Sequence, residues 1–300
     1  MRRITKLSLL CLVAGSATAC TPDLVTSTEV LPYAGVRFIN AVPDSAGAFG
    51  MDMRFLDMFE HNAHFQHNFR SGPSASAPFV STQIQYKGAR AGNRNIRIFL
   101  NDTIQSIAST VVRDTTVSLT AQSNYTAMLW GNGRSAGADA MRLSVWTEDV
   151  ADPGAQVAMR VINATSAPID VSVFAAVGGT QPATPTWAAV PPYSVSSYVL
   201  RDSTSYLYNV RAAGTTTNLF ANAVTMPGAP ASCSGKVCTT GQKEDIEAQP
   251  GTRISGSAVT GIVFPRSTVG ARTPQTAAFA VPSISFMWDR RPPRTCSPVC

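Results

Sequence analysis

Histidine and cysteine side chains are the groups in this chain whose spacing could support chemistry. All three histidines lie within seven residues, as His61-x2-His64-x2-His67. Imidazole is a common ligand of zinc and copper, so this spacing is one candidate metal site. On a helix, three-residue steps fan the side chains over about 120°, and on a strand His64 faces away from the other two. Neither geometry brings three ligands together unaided, which favours a polar, aromatic-rich insertion over a metal site.

Four cysteines in the last third of the chain form the second group. They follow the spacings Cys-x4-Cys and Cys-x3-Cys, and they are Cys233, Cys238, Cys296 and Cys300. An even number in an oxidising compartment predicts two disulfides, and a four-thiolate zinc site is the alternative. Pairing across the two groups would close loops of roughly 60 residues, which restrains the unfolded chain more than two local rings do. The sequence therefore favours cross-pairing and leaves its connectivity open.

The elements that must position these residues begin after a secretory signal peptide at residues 1–19. Three positive residues precede a short apolar core at residues 7–14, and small residues follow up to Cys20. This core is too short to span a bilayer, and no other segment reaches the roughly 18 unbroken apolar residues that a spanning helix needs. We therefore expect the mature chain to lie outside the cytoplasm.

Cys20 is the predicted lipidation site. Ala17-Thr18-Ala19-Cys20 resembles a bacterial lipobox, although Ala17 stands where Leu is usual. Ordinary signal-peptidase cleavage is the alternative, and it would leave a free N-terminal cysteine. Thr21, where Asp would retain the protein at the inner membrane, favours the outer membrane by analogy with the bacterial sorting rule. Residues 20–34 then form the lipid anchor and tether of a periplasmic or surface-exposed protein.

Composition argues against nucleic acid as a partner. The chain has 300 residues and a formal net charge of +6, which falls to +3 when the signal peptide takes three of the 24 Lys and Arg residues. The basic residues are scattered, and a nucleic-acid site needs a basic stripe with stacking aromatics. No cofactor is predicted.

The pattern of strands and turns predicts an all-β protein. About eight short strand candidates follow one another at intervals near ten residues in the first half, which is typical of a β-sandwich. Asp152-Pro153-Gly154 is a strong turn cluster, after which the pattern restarts. We therefore predict two tandem immunoglobulin-like β-sandwich modules, at 35–150 and 155–290, and a Cys/Pro tail at 291–300.

Three local expectations accompany this fold. A strand is predicted over Ile104–Val112, and a long exposed loop over residues 227–252. Five apolar residues at roughly helical steps predict an amphipathic helical insertion in the first module. They are Phe55, Met58, Phe59, Phe65 and Phe69.

A repeated motif supports the two-module organisation. Arg-[Phe/Val]-Ile-Asn-Ala occurs at Arg37–Ala41 and again at Arg160–Ala164. In the first module it is followed by a turn, an Asp-led strand and later a Tyr-Thr strand ending in Gly131. The second module lacks a clear Tyr-Thr strand, and residues 257–263 are the candidate counterpart.

These motifs resemble the bacterial envelope family known as domain of unknown function 4397. The resemblance covers most of residues 35–150 and, more loosely, residues 157–290. It implies an immunoglobulin-like sandwich in an envelope protein. The family has no known catalytic residue, so none is transferred to this chain.

Catalysis has little support in the sequence. There is no Gly-x-Ser-x-Gly elbow, no His-Glu-x-x-His motif and no phosphate-binding Gly loop. Asp52, Asp57 and Glu60 could supply a glycosidase pair, but solvated surface carboxylates are the favoured interpretation. The asparagines of the repeated motif, Asn40 and Asn163, are expected to bond the backbone of the following turn.

The predicted function is therefore a non-catalytic binding or scaffolding role at the cell envelope. Its expected partners are the membrane, through the lipid, and an envelope protein or glycan. A carbohydrate-binding or adhesion module is the first alternative, since Trp130, Trp146, Trp187 and Trp288 could line a sugar platform. Core or interface packing is the favoured role of these tryptophans. An envelope hydrolase is the second alternative.

Overall fold

The structure of the protein is a computed structural model. The structure describes residues 32–45, 50–57, 64–67, 70, 86–233, 236–237 and 246–293. The described chain is almost entirely β-structure and belongs to one compact unit, Pro32–Cys300. Within the described ranges, no helix is long and apolar enough to cross a membrane.

The first half of the described chain forms a sandwich of two four-stranded sheets. Its elements are β1 (Tyr33–Asn40), β2 (Met51–Phe55), β3 (His64–His67), β4 (Lys87–Arg90), β5 (Gly92–Leu100), α1 (Gln105–Ala108), β6 (Val111–Leu119), β7 (Asn124–Trp130), a 3-10 turn (Gly137–Asp139) and β8 (Arg142–Thr147). One sheet has the order β4-β1-β7-β8 and the other β3-β2-β5-β6. We call this half the first sandwich.

The second half repeats the design. Its elements are β9 (Val157–Asn163), β10 (Ile169–Ala175), β11 (Trp187–Val190), β12 (Ser194–Val195), β13 (Val199–Arg201), β14 (Tyr206–Ala212), β15 (Ala223–Val224), β16 (Ser232–Cys233), β17 (Lys236–Val237), β18 (Ala258–Phe264), a 3-10 turn (Ala277–Phe279) and β19 (Ser283–Arg290). The sheets have the orders β11-β10-β14-β15 and β12-β9-β18-β19, with β13 also on β9, and β16 and β17 form a separate hairpin. We call this half the second sandwich.

The all-β, two-sandwich fold predicted from the sequence is thus confirmed. In each half the motif strand pairs in parallel with a strand far along the chain, β1 with β7 and β9 with β18. Arg37 lies opposite Thr126 and Arg160 opposite Thr260, so the two pairs share one register. Residues 257–263, the expected counterpart of the Tyr-Thr strand, indeed overlap β18. The exact module boundaries stay a prediction.

Strand alternation divides the motif between two cores. Phe38 and Val161 point into the cores of their own sandwiches. Ile39 and Ile162 point the opposite way, into a third cluster that joins the two halves. Its buried members are Ile39, Ala41, Met128, Trp130, Ile162, Ala164, Ile262, Phe264 and Met287. Because side chains alternate along a strand, one five-residue motif serves both a sandwich core and the interface between sandwiches.

Two local predictions in the first sandwich are wrong. The segment Ile104–Val112 is not one strand, because α1 interrupts it and β6 begins only at Val111. The carboxylate of Asp102 accepts a hydrogen bond from the Ile104 backbone N–H (2.9 Å), which turns the chain before α1. The helical insertion also fails over His64–His67, which forms strand β3 against β2. Sheet pairing here overrides a short apolar pattern with helical spacing.

The long exposed loop predicted at 227–252 is also wrong for its described parts. Met226 is buried directly before it, and Ala231 and Thr252 are buried within it. The backbones of Ala229 and Gln249 bond to each other in both directions, at 3.1 and 2.8 Å. Glycine allows this close approach, since a Cβ on Gly251 would lie 2.1 Å from the Gly228 nitrogen.

Candidate functional site

Among the described residues, a group of four charged side chains lies buried between the two sandwiches. It consists of Arg37, Glu148, Arg160 and Asp289, which we call the charge quartet. Arg37 is 0 % exposed, Arg160 and Asp289 are each 5 % exposed, and Glu148 is 9 % exposed. Buried charges are costly unless they are paired and hydrogen-bonded, so every contact inside this group affects stability.

Arg37 connects both sandwiches through its guanidinium group. Its Nε donates to Thr126 Oγ1 on the neighbouring strand at 2.7 Å. Its Nη2 contacts Glu148 Oε1 of the same sandwich at 2.8 Å and Asp289 Oδ1 of the other sandwich at 2.5 Å. Its Nη1 donates to the Trp288 carbonyl at 3.0 Å. One side chain thereby pairs with a carboxylate from each half.

Arg160 makes the corresponding contacts from the second sandwich. Its Nε donates to Thr260 Oγ1 at 2.7 Å. Its Nη2 lies 2.6 Å from Glu148 Oε2 and 3.5 Å from Asp289 Oδ1. The hydroxyls of Thr126 and Thr260 bond in turn to Glu148 and Asp289, respectively. The quartet therefore has approximate twofold symmetry that matches the repeated motif.

Aromatic rings close the quartet on both sides. The Arg37 guanidinium lies 4.6 Å from the centre of the Tyr86 ring, and the Arg160 guanidinium lies 4.6 Å from the centre of the Tyr198 ring. Tyr198 also donates its hydroxyl to Asp289 Oδ2 at 2.8 Å. Burial raises the pKa of both tyrosines, so their hydroxyls stay protonated and neutral.

Asp289 and the two arginines of the quartet stay charged at neutral pH. Burial alone would raise the pKa of Asp289, but Arg160 and Arg37 hold that pKa below its ordinary value. Burial alone would lower the pKa of Arg37, and the neighbouring Asp289 and Glu148 carboxylates raise it above its ordinary value. These groups are enclosed and already paired with one another, so their arrangement suits holding the sandwiches together rather than turning over a substrate.

Contacts at one end of the strands reinforce the interface. Tyr193 of the second sandwich donates its hydroxyl to Asp139 Oδ1 of the first at 3.1 Å, and its ring lies 6.1 Å from that of Trp130. The connection between β18 and β19 also bonds to the first sandwich, because the Thr268 N–H donates to the Pro43 carbonyl at 2.9 Å. Arg70 donates to backbone carbonyls of that same connection, including that of Pro265.

An accessible cleft lies on the second sandwich. It has a volume of about 320 Å³ and opens between β10, β13 and the start of β14. Its lining combines apolar and polar side chains from these strands and from the segment before β9. They are Gln156, Val173, Phe174, Ala175, Leu200, Arg201, Asp202 and Tyr206. The cleft offers a place for a ligand with both polar and apolar groups.

Five of the residues predicted to carry chemistry lie outside the described residues. They are Cys20, His61, Cys238, Cys296 and Cys300. Lipidation and the disulfide pattern therefore stay predictions.

Of the predicted histidine and cysteine ligands, the described residues include His64, His67 and Cys233. His64 and His67 are the end residues of β3, and Cys233 is buried in β16. Among the described residues, no three His, Cys, Asp or Glu side chains are grouped so that they could hold a metal ion. The histidine metal site stays a prediction.

The predicted role of the two motif asparagines is confirmed. Asn40 Oδ1 accepts from the Val42 N–H at 3.0 Å, and Asn163 Oδ1 accepts from the Thr165 N–H at 2.9 Å. Each side chain thus bonds the backbone two residues on, which is the Asx-turn geometry that shapes the end of its strand.

The carboxylates considered for catalysis lie in ordinary ion pairs. Asp52 is not solvated as expected, since it is 2 % exposed and bonds Arg54 Nε at 2.8 Å. Asp57 is exposed, as expected, and pairs with Arg94 at 3.2 Å. Glu60 lies outside the described residues.

The tryptophans pack inside the protein, as favoured from the sequence. Trp130 is buried in the interface and stacks on Trp146, with ring centres 6.1 Å apart. Trp187 is buried in the second core, where it stacks on Tyr208.

The acidic half of the quartet was missed from the sequence. The repeated motif points to Arg37 and Arg160, but no sequence motif points to Glu148 or Asp289. A comparison of the two halves points to them, because they occupy equivalent places. Glu148 lies two residues after Trp146, which pairs with Thr126. Asp289 lies two residues after Met287, which pairs with Thr260.

One comparison with known proteins gives a match. The model of the family described as domain of unknown function (DUF4397) matches residues 34–174. This part of the chain is similar to that family. The match covers the first sandwich and continues through β9 into β10, and a second copy of the family in the second sandwich stays a prediction. No curated protein matches the chain.

Proposed function

We propose that this protein is a lipid-anchored component of the outer membrane whose two sandwiches form one rigid, non-catalytic binding or scaffolding body. The observation that carries the proposal is the charge quartet, which fixes the two sandwiches to each other through Arg37 and Arg160. A body held this way presents its surface loops at constant positions, as a scaffold requires.

The chain enters this body only twelve residues after Cys20. Residues 21–31 could span at most about 40 Å when extended, so a lipid on Cys20 would keep the sandwiches near the bilayer. Cys233, Cys238, Cys296 and Cys300 would form two disulfides in the same oxidising compartment. Thr21 supports placement at the outer membrane.

The partner is proposed to be an envelope protein or a glycan that contacts the surface of the sandwiches. A sugar platform has less support, because Trp130 and Trp187 are used in packing. A hydrolase also has less support, because the four charged side chains of the quartet are enclosed between the sandwiches and paired with one another.

Substitution of Cys20 tests the proposal. Wild-type protein should sediment with outer membranes and carry an acyl mass on its N-terminal peptide, whereas Cys20→Ser protein should be soluble. Thr21→Asp is the matched control for sorting, and it should stay acylated but move to the inner membrane.

In intact cells, a chemical cross-linker should give defined adducts with the wild type that Cys20→Ser lacks. Membrane-bound Cys20→Ser protein or a wild type without acyl groups would contradict the anchor, and a wild type that forms no adduct would contradict the scaffold.

A further inference from the structure

We infer that the end of the body at which the tether enters rests on the phospholipid surface, through exposed apolar side chains of both sandwiches. We call this surface the tether end and define it by Tyr33, Leu56, Val177 and Leu200. The inference rests on the proposed lipid anchor and adds to it a fixed orientation of the body.

Tyr33 and Leu56 lie at one end of the first sandwich. Pro32, where the described chain begins, accepts a hydrogen bond through its carbonyl from the Ala91 N–H at 2.6 Å. The Tyr33 carbonyl accepts from the Gln122 N–H at 2.7 Å. Leu56 follows the last residue of β2, and its N–H donates to the Asn95 carbonyl near the start of β5. The residue after β2 (Leu56), the residue before β5 (Ala91) and the turn between β6 and β7 (Gln122) therefore lie around the point where the tether enters.

The second sandwich presents its corresponding end on the same side. Leu200 lies opposite Ala158 at the start of β9, just as Tyr33 lies at the start of β1. Both strands lead from there to the charge quartet, where Arg37 and Arg160 share Glu148. Both then lead on to the opposite end, where Tyr193 contacts Trp130. The strands therefore run in the same sense, and Leu200 lies at the tether end.

Val177 joins Leu200 at this end. It follows β10, and the N–H of the preceding Ala176 donates to the Ser205 carbonyl at 2.8 Å. The cleft described above is lined by Ala175 and Leu200, so Val177 lies at its margin.

The chemistry of these side chains fits a bilayer surface. Tyr33 is 37 % exposed, Leu56 40 %, Leu200 54 % and Val177 89 %. Exposed Arg90, opposite Tyr33, supplies positive charge. Arg201, beside Leu200, is also exposed, and its charge is offset by its exposed neighbour Asp202. Apolar side chains with adjacent basic groups enter the headgroup region and attract anionic phospholipids. A tether of eleven residues attached at this end would hold it close to the lipid.

Tryptophan fluorescence can test the orientation in the lipidated full-length protein. Leu200→Trp places a reporter at the tether end, and Val269→Trp is the matched control. Val269 is an exposed aliphatic residue at 86 % exposure in the β18–β19 connection, which contacts the first sandwich at the opposite end. Both proteins are reconstituted into phosphatidylethanolamine–phosphatidylglycerol vesicles whose acyl chains are brominated near the headgroup. Flotation measures attachment to the vesicles. The emission of the wild type is subtracted from that of each variant, and quenching of the remaining emission measures contact of the added Trp with lipid.

Quenching of the Leu200→Trp emission, with the Val269→Trp emission unchanged, is the expected result. Flotation of both variants with equal emission changes, or with no quenching, would overturn the tether-end contact and leave the anchor intact. Failure of the wild type to float would overturn the anchor and this inference together. The Trp at position 200 could instead be shielded by a bound envelope protein in native membranes and remain unquenched by brominated lipid in pure vesicles. That result would assign the surface to a protein partner and also overturn the inference.

Discussion

Arg37 and Arg160 bind opposite oxygens of the same carboxylate. Arg37 Nη2 lies 2.8 Å from Glu148 Oε1, and Arg160 Nη2 lies 2.6 Å from Glu148 Oε2. The two arginines occupy equivalent places in the repeated motif, so Glu148 links the two copies of that motif directly. The stability of the interface should therefore depend on this one side chain.

Replacement of Glu148 by Gln should strongly destabilise the protein. The change keeps the shape of the side chain but removes the negative charge that both arginines share, and breaking a buried ion pair in this way costs about 3–5 kcal/mol. Urea unfolding followed by circular dichroism measures the loss. Asp114→Asn is the control, because its exposed pair with Arg97 should contribute little. Equal midpoints for the two variants would contradict a structural role for the quartet.

Acid should weaken the interface through Asp289. Its pKa is lower in the folded protein than its ordinary value of 3.8, so this group contributes stability above pH 3.8. That contribution is lost as the pH falls from 3.8 through the lower folded-state pKa. Urea midpoints measured from pH 7 down to pH 3 should decrease as the pH drops below 3.8. The Asp289→Asn protein should be less stable at pH 7 and show a smaller decline with acid, and a parallel decline in both proteins would refute the assignment.

The second motif asparagine should be more than a turn residue. Asn163 Nδ2 donates to the carbonyls of Ala167, Val190 and Pro191, while Oδ1 accepts from Thr165. Asn163→Ala should cost about 1–3 kcal/mol, because buried backbone groups lose their partners. Thermal unfolding measures the change. Asn218→Ala, which removes only an exposed contact to Arg211, should leave the midpoint nearly unchanged.

The glycine that ends β7 should tolerate no side chain. Gly131 has φ +81°, and a Cβ there would lie 2.6 Å from the Ala140 carbonyl oxygen. Gly137 has a similar φ of +68° but no atom within 4 Å of its added Cβ, so Gly137→Ala carries the backbone strain alone. Gly131→Ala should destabilise the protein by about 1–3 kcal/mol more than Gly137→Ala, as overpacking does. Equal thermal midpoints would show that the β7–β8 connection can move aside.

Local patterns were sufficient for much of the fold. Short runs rich in β-branched and aromatic residues, separated by turn clusters, predict the strands, because such residues favour a pleated backbone. The Asn40 and Asn163 turns were predictable for the same kind of reason, since an Asx turn involves only the next two residues. The segment at 104–112 was mispredicted because β-branched residues hid the turn that Asp102 starts.

The sequence by itself determined that this protein is built from β-strands and carries one motif twice, because strand periodicity and short turns depend on neighbouring residues. Only the tertiary structure decided what the motif does at the interface. Glu148 is 111 residues from Arg37, and Asp289 is 252 residues from it. Glu148 reaches Arg37 only when β1, β7 and β8 pair in one sheet, and Asp289 reaches it only when the two sandwiches dock. No local pattern encodes which distant carboxylate meets a buried arginine.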